Sequence, residues 1–141
     1  MKNHRQHFQF WFLLLIPFAI SCVPEDDLGP DTGDPRDKFI GSWLFNETPA
    51  ARNIDATFTV TISYDASNSS QVMLRNFASA GGQYSAYGIV TSNRITVPEQ
   101  EMAPGFVVEG SGTMSTTTSM DWEYTITAGG DMESFTAEAS K

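Results

Sequence analysis

Apolar and polar residues alternate along much of this chain with a period of two. Phe58, Val60, Ile62 and Tyr64 interleave with Thr57, Thr59, Thr61 and Ser63, and Met120, Trp122, Tyr124 and Ile126 interleave with Asp121, Glu123, Thr125 and Thr127. Successive side chains of a strand point to opposite faces, so each run predicts a strand with one dry and one wet face. Weaker alternation over 39–47, 71–78, 83–91, 94–97, 105–113 and 134–140 brings the expected strands to eight. No stretch carries a convincing helical stripe.

The segments between them carry turn chemistry: 65–70 (DASNSS), 80–82 (AGG), 92–93 (SN), 98–104 (PEQEMAP), the Ser/Thr run 115–119, and 129–131 (GGD). Gly and Asn reach positive φ at little cost, and the gaps are short enough for consecutive strands to pair antiparallel. An all-β antiparallel meander of about eight strands is therefore expected, and it removes its exposed edges by closing into an up-and-down barrel. An immunoglobulin-like β-sandwich is the alternative, disfavoured because sandwiches need longer crossovers than these gaps provide.

A different pattern occupies the beginning of the chain. Lys2 and Arg5 precede about 13 mostly apolar residues, Phe8 to Ile20, fewer than the roughly 20 a spanning helix needs. The stretch is expected to be a signal peptide over 1–21, cut between Ser21 and Cys22. Cys22 is the single cysteine, and an unpaired cysteine in an exported protein calls for explanation. The segment Phe18-Ala19-Ile20-Ser21-Cys22 resembles the lipobox of bacterial lipoproteins, with Ala19 where Leu is commonest. That resemblance implies acylation of Cys22 and a lipid anchor to the membrane; an ordinary secretory leader is the alternative. Residues 22–38, with three prolines, two glycines and six acidic side chains among them, show neither period and are expected to form a solvated tether. Glu25, Asp26 and Asp27 look like the acidic export signal of surface lipoproteins in Bacteroidota, and equally like a charge run that keeps a linker soluble. An outer-membrane or cell-surface location follows from the resemblance.

The barrel domain is expected over 39–141, room for one modest core. Lys2 and Arg5 leave with the leader, so six Lys and Arg stand against 17 Asp and Glu, a formal charge of −11 on the mature chain. Such a surface repels nucleic-acid phosphates, and no nucleic-acid partner is expected.

Gly41-Ser42-Trp43 near the start of the first strand looks like the first signature of lipocalin-like barrels, in which Gly41 and Trp43 would belong to a plug at one end. With Val60-Thr61-Ile62-Ser63, Ile95-Thr96-Val97-Pro98 and Gly110-Ser111-Gly112-Thr113-Met114, the chain from Gly33 onward is similar to small lipocalin-like lipoproteins of Bacteroidota. The likeness implies a shape and carries no reaction.

Chemistry is bounded mainly by exclusion. His4 and His7, the only histidines, both lie in the leader, which removes Ser-His-Asp and Cys-His catalysis and every His/Cys zinc site from the mature chain. No phosphate loop, dinucleotide fingerprint or EF-hand spacing occurs, so neither cofactor nor metal is expected. Carboxylate pairs are the remaining catalytic possibility: Glu99 with Glu101 in an expected loop, Asp121 with Glu123 on a wet strand face. Both read as solubilising charge, and an enzyme is not expected. A non-catalytic binding barrel is the leading reading, with Trp122, Tyr124, Tyr64, Phe58 and Phe106, and Tyr84 and Tyr87 beside flexible turns, as candidates to line a site for a small apolar or glycan ligand. The alternative is a structural or interaction lipoprotein with a packed core that contacts another envelope protein or a host protein.

Overall fold

The computed structural model describes residues 33–51 and 55–141. Ser21, Cys22, Glu25, Asp26 and Asp27, and with them the expected cleavage, lipidation and export signals, lie outside the described residues.

Eight strands form among these residues: β1 (Gly41–Pro49), β2 (Ala56–Tyr64), β3 (Gln71–Arg75), β4 (Ser85–Thr91), β5 (Arg94–Ala103), β6 (Phe106–Thr116), β7 (Ser119–Ala128) and β8 (Asp131–Ser140). Each pairs antiparallel with the next, and β1 pairs with β8 to close the sheet into a barrel. The architecture is the up-and-down meander that the alternation predicts, and the sandwich is set aside.

Closure depends on large side chains standing beside small ones inside the barrel. On β7, Trp122 lies between Gly112 of β6 and Ala137 of β8, and Tyr124 lies between Gly110 and Phe135. On β3, Val72 faces Gly88 and Leu74 faces Ala86 of β4. The interior is filled: Trp43, Phe45, Val60, Ile62, Leu74, Phe77, Ile95, Val97, Met120 and Trp122 are all essentially inaccessible to solvent. A filled interior has the packing density of an organic crystal, so volume changes of even one methylene are felt there.

Three of the differences from the sequence expectation have a local reason. The first strand begins at Gly41, because residues Asp37–Phe39 form a 3-10 turn that tucks Phe39 under the barrel. The third strand stops at Arg75. Asn76 then turns left-handed at φ 64°, and its side chain donates to the Thr59 carbonyl and accepts from the Gly81 N–H, so Phe77–Ser79 leave the sheet as a second 3-10 turn. The fifth strand runs through the expected loop 98–104. A register shift between Val97 and Gln100 absorbs Pro98, which has no N–H to give the ladder. There the Gln100 amide side chain accepts from the Tyr87 N–H at 2.9 Å and donates to the Tyr87 carbonyl at 2.8 Å, standing in for the β4–β5 backbone pairing that ends at Thr96. Glu99 and Glu101 are consequently strand residues.

Candidate functional site

The two ends of the barrel are built differently. One holds the start of β1, the β2–β3 turn and the chain terminus, and it is closed. Arg36, 8% exposed, donates through Nη1 to the carbonyls of Asp65, Asn68 and Gln71, while its Nε and Nη2 grip the Asp34 carboxylate. The side-chain hydrogen bond from Arg36, followed by its backbone N–H, holds the Asp34 carboxyl down at about 2. Trp43 is fully buried here, its indole N–H donating to the Phe39 carbonyl at 2.7 Å and the Lys141 ammonium lying 4.7 Å from its ring centroid. Lys141 also donates to the Lys38 and Ile40 carbonyls. This places Gly41 and Trp43 at the end where residues 33–38 pack on the barrel.

The opposite end, the mouth, is rimmed by the segment between β3 and β4, by the β5–β6 turn at Pro104 and Gly105, and by the β7–β8 turn at Gly129 and Gly130. Phe58, Ala80, Tyr84, Phe106 and Ile126 pack on the core there without being fully covered. Below them the ring of Phe77 enters from the 3-10 turn. Its centroid is 5.2 Å from Trp122, 4.9 Å from Tyr124 and 6.3 Å from Phe45, the last edge-on. Phe45 stacks on Phe58, and Tyr124 stacks on Phe135.

Two polar features sit in this aromatic cluster. Glu47 follows Trp43 and Phe45 on the inward face of β1 and is only 7% exposed. The Tyr124 hydroxyl donates to its carboxylate. Burial pushes the Glu47 carboxyl above its usual range; the Tyr124 hydrogen bond opposes that rise, and the charge of Glu133 adds to it. Burial, then Glu47 itself, raises the Tyr124 phenol. A carboxyl group withdrawn from water is costly, which makes it a pointer to function. The second feature is the Trp122 indole nitrogen, the one buried side-chain polar atom without a hydrogen-bond partner among the described residues.

Of the residues singled out from sequence, the structure brings Trp122, Tyr124, Phe58, Phe106 and Tyr84 together at or below the mouth. Tyr64 is not among them. It has the inward parity of β2 but lies beyond the closed end, 47% exposed, with the Arg36 guanidinium over its ring and its hydroxyl donating to Asp37. Tyr87 alternates with the inward Ala86 and faces outward. Asp121 and Glu123 point outward from β7 as expected, with Asp121 directly opposite Glu138. Sequence reasoning missed Glu47 and Phe77. The parity of β1 carries the signal for Glu47, an acid in step with two buried aromatics; nothing in the period-two pattern marks Phe77, since its turn lies outside the ladder.

On the outer face of β6, β7 and β8 a shallow open groove is lined by Glu109, Glu123, Thr125, Ser134 and Thr136, among others.

No protein-family model matches the chain, and no curated protein is similar to it. Among solved structures, the chain is similar to a redesigned β-barrel at 14% identity, over 78% of this chain and 96% of that one, with a TM-score of 0.55. It also aligns at 13% identity with EF1p2_mFAP2b bound to DFHBI, over 77% of this chain and 99% of that one, with a TM-score of 0.49. The first likeness is one of fold: a closed β-barrel.

Proposed function

We propose that this chain is a non-catalytic binding barrel, held outside the cytoplasm on an outer-membrane or cell-surface lipid anchor at Cys22, whose mouth takes a small ligand with an apolar ring face and a hydrogen-bond donor. The observation that carries the binding reading is Glu47: a carboxyl buried inside an aromatic cluster, next to a partly uncovered apolar rim. A ligand that donates to Glu47 while covering Phe58, Phe106 and Ile126 satisfies both, and sugars and aromatic amines have that character. The direction of the tether supports the same reading. Residues 33–38 pack on the closed end, so a barrel anchored through the residues before them presents its mouth away from the membrane.

The test is a fluorescence titration of the full chain with N-phenyl-1-naphthylamine, a neutral aromatic amine. Saturable enhancement in the wild type, weakened by Glu47→Leu and unchanged by the outward Glu138→Gln, is the expected result; equal enhancement in all three refutes mouth binding. Anchoring is tested separately: acyl label enters the wild type and not Cys22→Ser, and equal labelling refutes it.

The filled interior favours a second reading, a structural or interaction lipoprotein whose outer face meets an envelope or host protein. Absence of saturable probe binding, together with crosslinking of the outer face to one envelope protein in intact cells, would support it.

A further inference from the structure

We propose that Phe77 is a removable plug, and that the chamber it fills receives one neutral, planar aromatic ring bearing a hydrogen-bond acceptor. This rests on the reading of the mouth as a binding site and says what enters and what must move.

Three independent observations meet at this side chain. First, Phe77 packs in a cage of aromatic rings on the two strands that flank β8, Phe45 of β1 and Trp122 and Tyr124 of β7, with every centroid distance in the range of favourable ring contacts. A cage that holds one phenyl ring is already shaped for another. Second, the ring is delivered by a segment in strained backbone. Asn76, Ala78 and Ser79 adopt φ of 64°, 53° and 55°, three non-glycine residues in the left-handed region within four positions. The Asn76 side chain ties the segment to β2 at the Thr59 carbonyl and closes its own turn at the Gly81 N–H, while Phe77 and Ala78 hold it by burial. Strain that the plugged state alone carries favours any competing state in which the segment swings out. Third, the indole that packs on Phe77 carries the orphan buried N–H. A phenyl ring offers that donor nothing, whereas a carbonyl or ring nitrogen offers an acceptor, so a suitable guest gains a hydrogen bond that the plug cannot make. The Glu47 carboxyl, bonded to the same Tyr124 that touches Phe77, disfavours an anionic guest.

The experiment is an amide and indole NMR titration of the full chain with benzamide, with benzoate and toluene as comparison probes. Benzamide is expected to move the Trp122 indole N–H downfield together with the amides of residues 76–82; toluene binds more weakly and benzoate least. Two variants shift the plug in opposite directions. Asn76→Ala removes its peg and is expected to tighten benzamide binding about tenfold by raising the population of the open state. Ser79→Gly relieves strain in the plugged state and is expected to weaken binding roughly threefold. Should Asn76→Ala fold poorly, Ser79→Gly still decides the matter through its sign. Benzamide shifts confined to Phe58, Phe106 and Ile126, with the Trp122 indole and residues 76–82 unmoved, would overturn the plug while leaving mouth binding intact. No saturable shift in the wild type or either variant overturns the plug, and loss of the naphthylamine signal as well overturns the binding reading beneath it.

Discussion

Replacing Gly112 with alanine tests whether the aromatic cluster is as tightly fitted as its geometry says. A Cβ built on Gly112 would lie 2.2 Å from Trp122 Cε2, 2.4 Å from Cδ2 and 2.5 Å from Cζ2. Carbon atoms in contact prefer about 3.5–4.0 Å, so the methyl group overlaps the indole face by more than 1 Å, roughly. The indole has no free direction of retreat, since Trp122 is 1% exposed and Phe45 and Phe77 stand 5.5 Å and 5.2 Å from it. Either the ring leaves its rotamer or β6 separates from β7, and overpacking of this kind costs about 3 kcal/mol, the upper part of the usual range. With an unfolding entropy of about 0.2 kcal/mol/K for a barrel of roughly 100 residues, the melting temperature falls by roughly 14 °C. Gly82→Ala is the control, because nothing lies within 4 Å of its Cβ; it should stay within about 2 °C of wild type. The assay is thermal melting by near-ultraviolet circular dichroism, which reads the packed indoles. Trp122→Leu in the Gly112→Ala background should recover at least about 1 kcal/mol relative to the sum of the single changes, since the colliding atoms are gone. A Gly112→Ala melt within a few degrees of wild type, with no coupling to Trp122, would refute the argument.

Other consequences are smaller and separable. The folded state holds the Glu47 proton more tightly than the unfolded chain does, so the stability linked to it is fully present below the ordinary value of 4.5 and is lost as pH rises through the raised one; Glu47→Gln should flatten the decline in melting temperature across that window. Asp34 has the opposite sign: its folded value of about 2 against 3.8 gives stability present above pH 3.8 and lost as pH falls towards 2, and Asp34→Asn should flatten the acid limb of the same melts. Gln100→Ala strips the Tyr87 N–H and carbonyl of their partner beside Pro98, and should lower stability by about 1–3 kcal/mol in urea unfolding.

The barrel was legible because a sheet with one dry face writes its period into the chain, and β2 and β7 show this without a break. Side-chain parity alone does not say where the sheet ends, however, and that is why Tyr64 reads as interior while standing outside the closed end. Pro98 reads as a stop because proline removes a ladder hydrogen bond; the strand continues because the side chain of Gln100, two residues on, replaces that bond from a distance the local pattern does not encode. Arg36 lies in what reads as tether, yet it reaches three carbonyls of a turn some thirty residues away in sequence. Such contacts belong to tertiary structure, and no window of neighbouring residues contains them.

The departures from local rules are not scattered. Consistency among propensity, patterning and polar satisfaction is what makes a sequence specify one fold, and departures concentrate where function requires them. Among the described residues, the left-handed non-glycine positions are Asn76, Ala78, Ser79 and Ser92. Ser92 sits in the tight β4–β5 turn, where a two-residue connection between antiparallel strands requires positive φ. The other three all serve to carry Phe77 inward. The buried acid, Glu47, and the unpartnered indole, Trp122, lie on the strands that this phenyl ring bridges. Stability alone would favour a leucine at position 47 and an ordinary turn after β3, because a hydrophobic side chain and relaxed backbone fill the same space without desolvating a carboxyl group. The chain keeps the acid, the strain and the orphan donor at one end of the barrel, the end away from residues 33–38, and it is at that end that binding is to be sought.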